Sequence, residues 1–428
     1  MTGFVGGWDK DKYLYYSIAT GQVIVFDKEI WEDIENEDVN DEVTQAFRDF
    51  AFKSNYVDNG KQMKLVILPT EECNFRCSYC YESFKEGKMD EDIQDRIVRY
   101  VENNVQNYNS LYVGWFGGEP LEALDVIESL SIRLIKICKD KKIGYCAGIT
   151  TNGYNLTLDV FKRLKTVKVY NFQVTLDGLK KEHNEQKKHK SGSTDTFSKI
   201  VDNIRMIREN VKSGAFRLTI RTNYTRNIAD NVDEYFDFLE DLIGNDKRFG
   251  VFWRLAGDWG NIKDESIKEK FCNVEDYVNI LKKSQERNFN MYILRYMLRE
   301  GGYACYASNP NSIVLKPNGE VLKCTCHLDD DINKIGILDS DGRLMVDYEK
   351  IKYWEKHATV CRNTNCKTYA ICRGKYCPYP SETEEGRRCP MDLINLVSIL
   401  KIFAKDKERT VYIESKDDLN NYIKGKRK

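Results

Sequence analysis

An α/β fold built on a parallel sheet is what this chain predicts, on three observations. Strand-like runs at 64–68, 111–115, 144–149, 169–176, 217–221 and 251–255 are separated by helical patterns. Those patterns set apolar side chains on one helix face, as with Ile93, Val98 and Val101, and again with Phe197, Ile200, Ile204 and Ile207. Residues able to carry chemistry follow the first four runs, at the strand ends where barrel-like α/β folds place their sites. Alternating strand–helix units imply parallel strands joined by crossover helices.

In chain order, residues 1–62 read as a small α+β module. Runs 13–18 and 22–26 are strands around Gly21, Asp27 caps a helix through Ile30, Trp31 and Ile34, and a second helix spans 42–52. A hairpin with short helices suits peptide binding by strand addition, and equally a structural cover over the open end of the next domain. Residues 63–262 are the α/β core. Residues 263–300 are a charged helical linker, 301–395 a cysteine-rich domain, and 396–428 a strand–helix cap with a basic end.

A chain of 428 residues sets a prior of about three domains. Its 66 Lys and Arg against 67 Asp and Glu argue against a nucleic-acid binder. No window approaches about 20 consecutive apolar residues, so no membrane span is expected. The start lacks a basic flank followed by an apolar stretch. Fourteen cysteines in a leaderless chain read as metal ligands in a reducing, cytoplasmic setting rather than as disulfides.

Cys73, Cys77 and Cys80 form CX3CX2C just after the first strand. Thiolates favour zinc or iron–sulfur clusters. Structural zinc wants four protein ligands; this loop offers three, and the next cysteine, Cys138, is far along the chain. Three ligands on a four-iron cube leave one iron open to a substrate or cofactor. A zinc knuckle completed from elsewhere is the other reading. Gly117, Gly118, Glu119 and Pro120 follow the second strand: the glycines let backbone approach a ligand, and Glu119 can accept from an ammonium group. Thr151 and Asn152 follow the third and Asp177 the fourth. They suit a ribose or carboxylate ligand, or simply turn bonds to their own backbone. Arg221 and Asn223 end the fifth, and Arg221 suits a carboxylate. The run 180–190 reads as a solvated charged loop on which an acidic peptide could rest, with His183 and His189 on the surface.

Cys305, Gly319 and Cys324 give CX13GX4C. Asn318-Gly319 predicts a hairpin between 313–315 and 321–322 that brings the two cysteine-bearing ends together. Cys361, Cys366, Cys372 and Cys377 follow at CX4CX5CX4C, and Cys389 closes the set. Cys138 and Cys146 sit on apolar patterns and read as core.

The CX3CX2C loop, with Tyr79 as the aromatic before its last cysteine, resembles the radical S-adenosylmethionine (radical SAM) superfamily, and the GGEP turn strengthens the resemblance. It implies a partial (β/α)6 barrel and a 4Fe-4S cluster on Cys73, Cys77 and Cys80 whose open iron is chelated by S-adenosylmethionine. It also implies cofactor contacts from Tyr79, Gly117, Gly118, Glu119 and Pro120; Thr151, Asn152, Asp177, Arg221 and Asn223 are further candidate contacts, with turn or capping roles as the alternative. The second cysteine set resembles the SPASM domain, usually CX2CX5CX3C; both outer spacings are longer here. That implies two auxiliary 4Fe-4S clusters, making three: an outer one on Cys361, Cys366, Cys372 and Cys389, and an inner one on Cys305, Cys324 and Cys377. Cys326 is a candidate fourth inner ligand; otherwise that site is open and takes a substrate thiolate. Two zinc sites are the alternative.

Among such enzymes the chain looks most like the maturases of ribosomally made peptides. The resemblance implies an electron from a flavodoxin or ferredoxin, cleavage of S-adenosylmethionine, and hydrogen abstraction from a precursor peptide by a 5′-deoxyadenosyl radical. The product would be a thioether or a carbon–carbon crosslink. An anaerobic sulfatase-maturing enzyme, making formylglycine, is the second reading. Those enzymes carry an aspartate directly after the hairpin cysteine, where this chain has Thr325, with Asp329 displaced nearby. A non-catalytic iron–sulfur or zinc scaffold that binds peptides is the third.

Overall fold

The computed structural model describes residues 3–18, 21–36, 38–39, 41–52, 61–257, 269–360, 366, 368–374, 377, 379, 395–406 and 410–426. The chain forms two compact units: Met1–Val57 with Val278–Cys305 and His357–Lys428, and Asp58–Tyr277 with Tyr306–Lys356. In the first unit β1 (Gly3–Asp9), β2 (Lys12–Ser17) and β3 (Gln22–Asp27) make an antiparallel meander. The helices Lys28–Glu35 and Glu42–Phe52 follow it. Tyr15, Phe26, Trp31 and Phe47 bury their rings together, because alternate strand residues and a stripe from each of the two helices share that face.

The second unit begins with β4 (Gln62–Ile67), whose end feeds the cysteine loop containing the short β5 (Phe75–Cys77). Then come β6 (Ser110–Trp115), β7 (Gly144–Thr151), β8 (Val169–Thr175), the short β9 (Lys187–His189), β10 (Arg217–Tyr224) and β11 (Phe249–Leu255). β4, β6, β7, β8, β10 and β11 are parallel and neighbour one another in that order. Crossover helices such as Glu91–Asn104 and Thr196–Asn210 join them. Asp90 and Asp195 cap those two helices, each accepting from the amide three residues on. This is the α/β architecture the strand–helix alternation predicts.

Beyond β4 the sheet continues through β12 (Ser312–Leu315), parallel to β4, then the antiparallel β13 (Glu320–Leu322), β14 (Lys334–Leu338) and β15 (Leu344–Val346), giving ten strands. The β12–β13 hairpin closes at Lys316 to Gly319, as its Asn-Gly pair dictates. Val66, Leu68, Val314, Leu322 and Leu328 form the core beneath it, with Tyr306 and Phe116 packed against them.

The last strand, β16 (Thr410–Ile413), returns to the first sheet and pairs parallel to β3, Ile413 opposite Phe26. Ile413, with Leu419 and Ile423 of the helix Lys416–Lys426, joins the aromatic core. Both sheets therefore cross chain-order boundaries: 312–346 extends the sheet of 63–262, and 410–413 completes that of 1–62. Strand edges carry unpaired amides and carbonyls, and each edge takes the partner that satisfies them wherever it lies in the chain. Among the described residues no helix is long and apolar enough to cross a membrane.

Candidate active site

The cysteine loop sits at the carboxyl end of the parallel strands, where β4 delivers it. Cys73 is buried, Cys77 and Cys80 are half-buried, and all three are free thiols. The Phe75 amide donates to Cys73 Sγ at 3.3 Å. Burial raises all three thiols, with the Glu119 carboxylate adding to the effect at Cys73; Cys80 is pushed up to about 12. Lys187 opposes the shift at Cys77 and Cys80. Among the described residues no three His, Cys, Asp or Glu side chains, these included, converge closely enough to hold a metal ion. The donor chemistry nonetheless fits a soft metal centre: buried thiols that resist ionisation bind as thiolates once a cation displaces their protons.

The GGEP turn packs on this loop. A Cβ on Gly117 would lie 2.3 Å from the Thr70 carbonyl, and one on Gly118 would lie 2.4 Å from the carbonyls of Glu71 and Glu72. The backbone these glycines admit is thus the cysteine loop itself. Pro120 opens the 3₁₀ turn Pro120–Ala123, a position that spares its missing amide. Glu119 is buried and already occupied. Its Oε1 accepts from Thr151 Oγ1 at 2.6 Å and the Leu121 amide at 3.0 Å, and its Oε2 from the Asn152 amide at 2.7 Å. Burial raises its carboxyl to about 7. Asn152 Nδ2 donates to Asn74 Oδ1 at 2.7 Å, so the chain of contacts returns to the cysteine loop.

A second network centres on Asp177, which is fully buried. Tyr79 Oη donates to its Oδ2 in a short bond, the Asn223 amide donates to its Oδ1 at 2.9 Å, and the Lys187 ammonium lies 3.6 Å from Oδ2. Asn223 Nδ2 donates to Tyr79 Oη at 3.2 Å. The Asp177 amide donates to His183 Nδ1 at 3.2 Å, which puts the neutral ring's proton on Nε2. Tyr79, raised by burial and by Asp177, stays protonated. The structure brings Tyr79, Asp177 and Asn223 together beside Cys77. Arg221, two residues before Asn223, bonds Asn223 Oδ1 at 3.3 Å.

The segment 180–190 corrects the solvated reading. His183 is 0% and Lys187 4% exposed, and β9 pairs with β5 so that Lys187 stands opposite Cys77. His189 packs on the rings of Phe75 and Tyr154. Neither histidine is a free surface side chain. The reason is tertiary: the buried Asp177 carboxylate gives the lysine a partner, and the β5 edge gives the segment a ladder. Lys187 and His183 are the residues sequence reasoning missed; a spacing of six and ten residues after the strand-end Asp177 is the only local signal.

The set around the hairpin is divided. Cys361 and Cys389 lie outside the described residues. Cys305, Cys366, Cys372 and Cys377 belong to the first unit, and Cys324 and Cys326 to the second. The Cys326 amide donates to Cys324 Sγ at 3.3 Å, and the Cys326 thiol is lowered to about 7, first by Cys324 and then by the Arg221 charge. Thr325 Oγ1 lies 2.8 Å from Tyr306 Oη. Asp329 is held by Lys85 at 2.9 Å.

Residues 67–239 match the radical SAM superfamily model. The Fe-coproporphyrin III synthase of Methanosarcina barkeri is 27% identical over 244 residues, 56% of this chain and 57% of that protein, so the chain spans little more than half of that relative. A GTP 3′,8-cyclase of Campylobacter jejuni is 27% identical over 256 residues, 57% of this chain and 70% of that protein. Among solved structures, native anSMEcpe with bound AdoMet and Kp18Cys peptide matches 85% of this chain and 99% of its own at a TM-score of 0.60 and 20% identity. Streptococcus suis SuiB bound to S-adenosylmethionine matches 91% and 98% at 0.50 and 17%. With its cysteine loop at the end of the first strand of the parallel set, and the superfamily match running from that strand's end, residues 67–239 form a radical SAM domain.

Proposed function

We propose that this protein modifies a ribosomally made peptide by hydrogen abstraction, closing a thioether or carbon–carbon crosslink. The observation that carries the reading is the CX3CX2C loop, held at the strand ends by the Glu119 and Asp177 networks, in a chain that bears a second cysteine set. Fold likeness to a structure containing a Cys peptide supports a peptide substrate. The cluster and S-adenosylmethionine, when bound, supply a 5′-deoxyadenosyl radical by one-electron reductive cleavage.

The chain's own residues prepare that site. Cys73, Cys77 and Cys80 would hold the cluster. Gly117 and Gly118 keep the loop pressed against the second strand's end. The Lys187 ammonium, buried near Cys77 and Cys80, offers a cation for the cofactor's carboxylate. Asp177, Asn223, Thr151 and Asn152 offer acceptors and donors to its polar groups, and Tyr79 a ring beside them. The second cysteine set would hold two auxiliary clusters, a flavodoxin or ferredoxin would deliver electrons, and residues 1–62 would engage the peptide. Formylglycine formation is the weaker reading. At the position of the expected aspartate stands Thr325, whose hydroxyl cannot serve as a base near neutral pH, and Asp329 is engaged by Lys85.

Anaerobically reconstituted protein with dithionite and S-adenosylmethionine should release 5′-deoxyadenosine, and Cys73→Ala should not. A peptide encoded beside the gene, co-expressed with the enzyme, should lose a pair of hydrogens per crosslink. No 5′-deoxyadenosine from either protein would favour the scaffold; an unchanged peptide mass would sink the crosslink.

A further inference from the structure

Arg221 and Arg254 stand on the adjacent strands β10 and β11. In that ladder Asn223 lies opposite Arg254, and Arg221 is two residues from Asn223, so the two arginines share one face of the sheet. Among the described residues Arg221 makes one hydrogen bond, to Asn223 Oδ1 at 3.3 Å, and its buried Nε has no partner there. Burial lowers its pKa and the neighbouring Arg254 charge lowers it further, while Tyr81, Tyr79 and Asp177 offset part of the shift. A buried guanidinium with an unmet N–H is costly until an acceptor joins it. A guanidinium fork matches the two oxygens of a carboxylate.

The cofactor's carboxylate has a better cation. Lys187 acts on the thiols of Cys77 and Cys80, whereas Arg221 acts on Tyr81 and Cys326, on the side of the β12–β13 hairpin. We propose that Arg221 is a carboxylate subsite for the substrate, so that the peptide presents an acidic side chain or a terminal carboxylate close to its reacting residue. This rests on the reading of the substrate as a peptide.

The test uses reconstituted holoenzyme with S-adenosylmethionine bound and three probes: acetyl-Gly-Glu-Gly-amide, acetyl-Gly-Gln-Gly-amide and acetyl-triglycine with a free carboxylate. The Glu probe or the free acid should bind about tenfold more tightly than the Gln probe, as a charged hydrogen bond at a partly buried site implies. Preference for the Glu probe assigns a side chain, and preference for the free acid a chain end. Arg221→Gln should reduce the ratio toward one. Equal binding of all probes to the wild type, or no binding, overturns the subsite without any variant having to fold. So does an Arg221→Gln protein that keeps the preference but binds S-adenosylmethionine more weakly. If the wild type forms 5′-deoxyadenosine while the probes bind equally, only the subsite fails; if it forms none, the enzymatic reading fails instead.

Discussion

Lys187 and Cys77 are register partners across the two-stranded β5–β9 ladder, with the Lys187 ammonium 3.6 Å from the buried Asp177 carboxylate. The pair ties the cysteine loop to the end of β8. Lys187→Met leaves Asp177 buried without its cation, and losing one partner of a buried pair costs about 3–5 kcal/mol. Urea denaturation should register a loss near the low end of that range, because Tyr79 and Asn223 still bond Asp177. Lys187→Arg should restore most of it.

Gly118→Ala should loosen the cysteine loop. The new methyl would meet two carbonyls at 2.4 Å, and overpacking of this kind costs about 1–3 kcal/mol. Iron per chain after reconstitution should fall together with Tm. Gly87→Ala is the control, since nothing lies within 4 Å of its Cβ position.

His183 makes folding sensitive to acid. Burial lowers it to about 3, well under its ordinary value. Between about pH 6.5 and 3 the unfolded chain therefore binds a proton that the folded one refuses, so stability is full above about 6.5 and drains as pH falls. In His183→Phe the slope of unfolding free energy across that window should be shallower by up to one proton. A slope equal to that of the wild type would mean the ring is not buried neutral.

Deleting residues 410–426 should unfold the first sheet. It removes Ile413, Leu419 and Ile423 from the core of Tyr15, Phe26, Trp31 and Phe47. Each buried aliphatic side chain contributes roughly 1.5–3 kcal/mol. Amides of β2 and β3 should lose hydrogen-exchange protection while those of β6 and β7 keep theirs.

The parallel strands were legible because each combines a buried apolar run with helices of clear period on either side. The β12–β13 hairpin was legible because Asn318-Gly319 encodes its turn. The cysteine loop was legible from spacing, since ligand chemistry tolerates few arrangements. Lys187 and His183 were not: eleven residues dense in Lys, Glu and His look solvated, and only the distant Asp177 and the β5 edge bury two of them. β16 read correctly as a strand, but its partner β3 lies too far away in sequence for any local pattern to show. The glycines of the GGEP turn announced a close approach without saying to what, and their neighbour is the backbone of Thr70 to Glu72.

The β3–β16 ladder has a consequence for biosynthesis. Phe26 must wait for Ile413, 387 residues later (413 − 26), before its sheet gains its fourth strand. At about 5–20 residues per second a ribosome needs on the order of tens of seconds to make that stretch. Throughout it the nascent meander carries a bare edge and an unfinished aromatic core, so residues 3–27 are made long before the strand and helix that complete their packing.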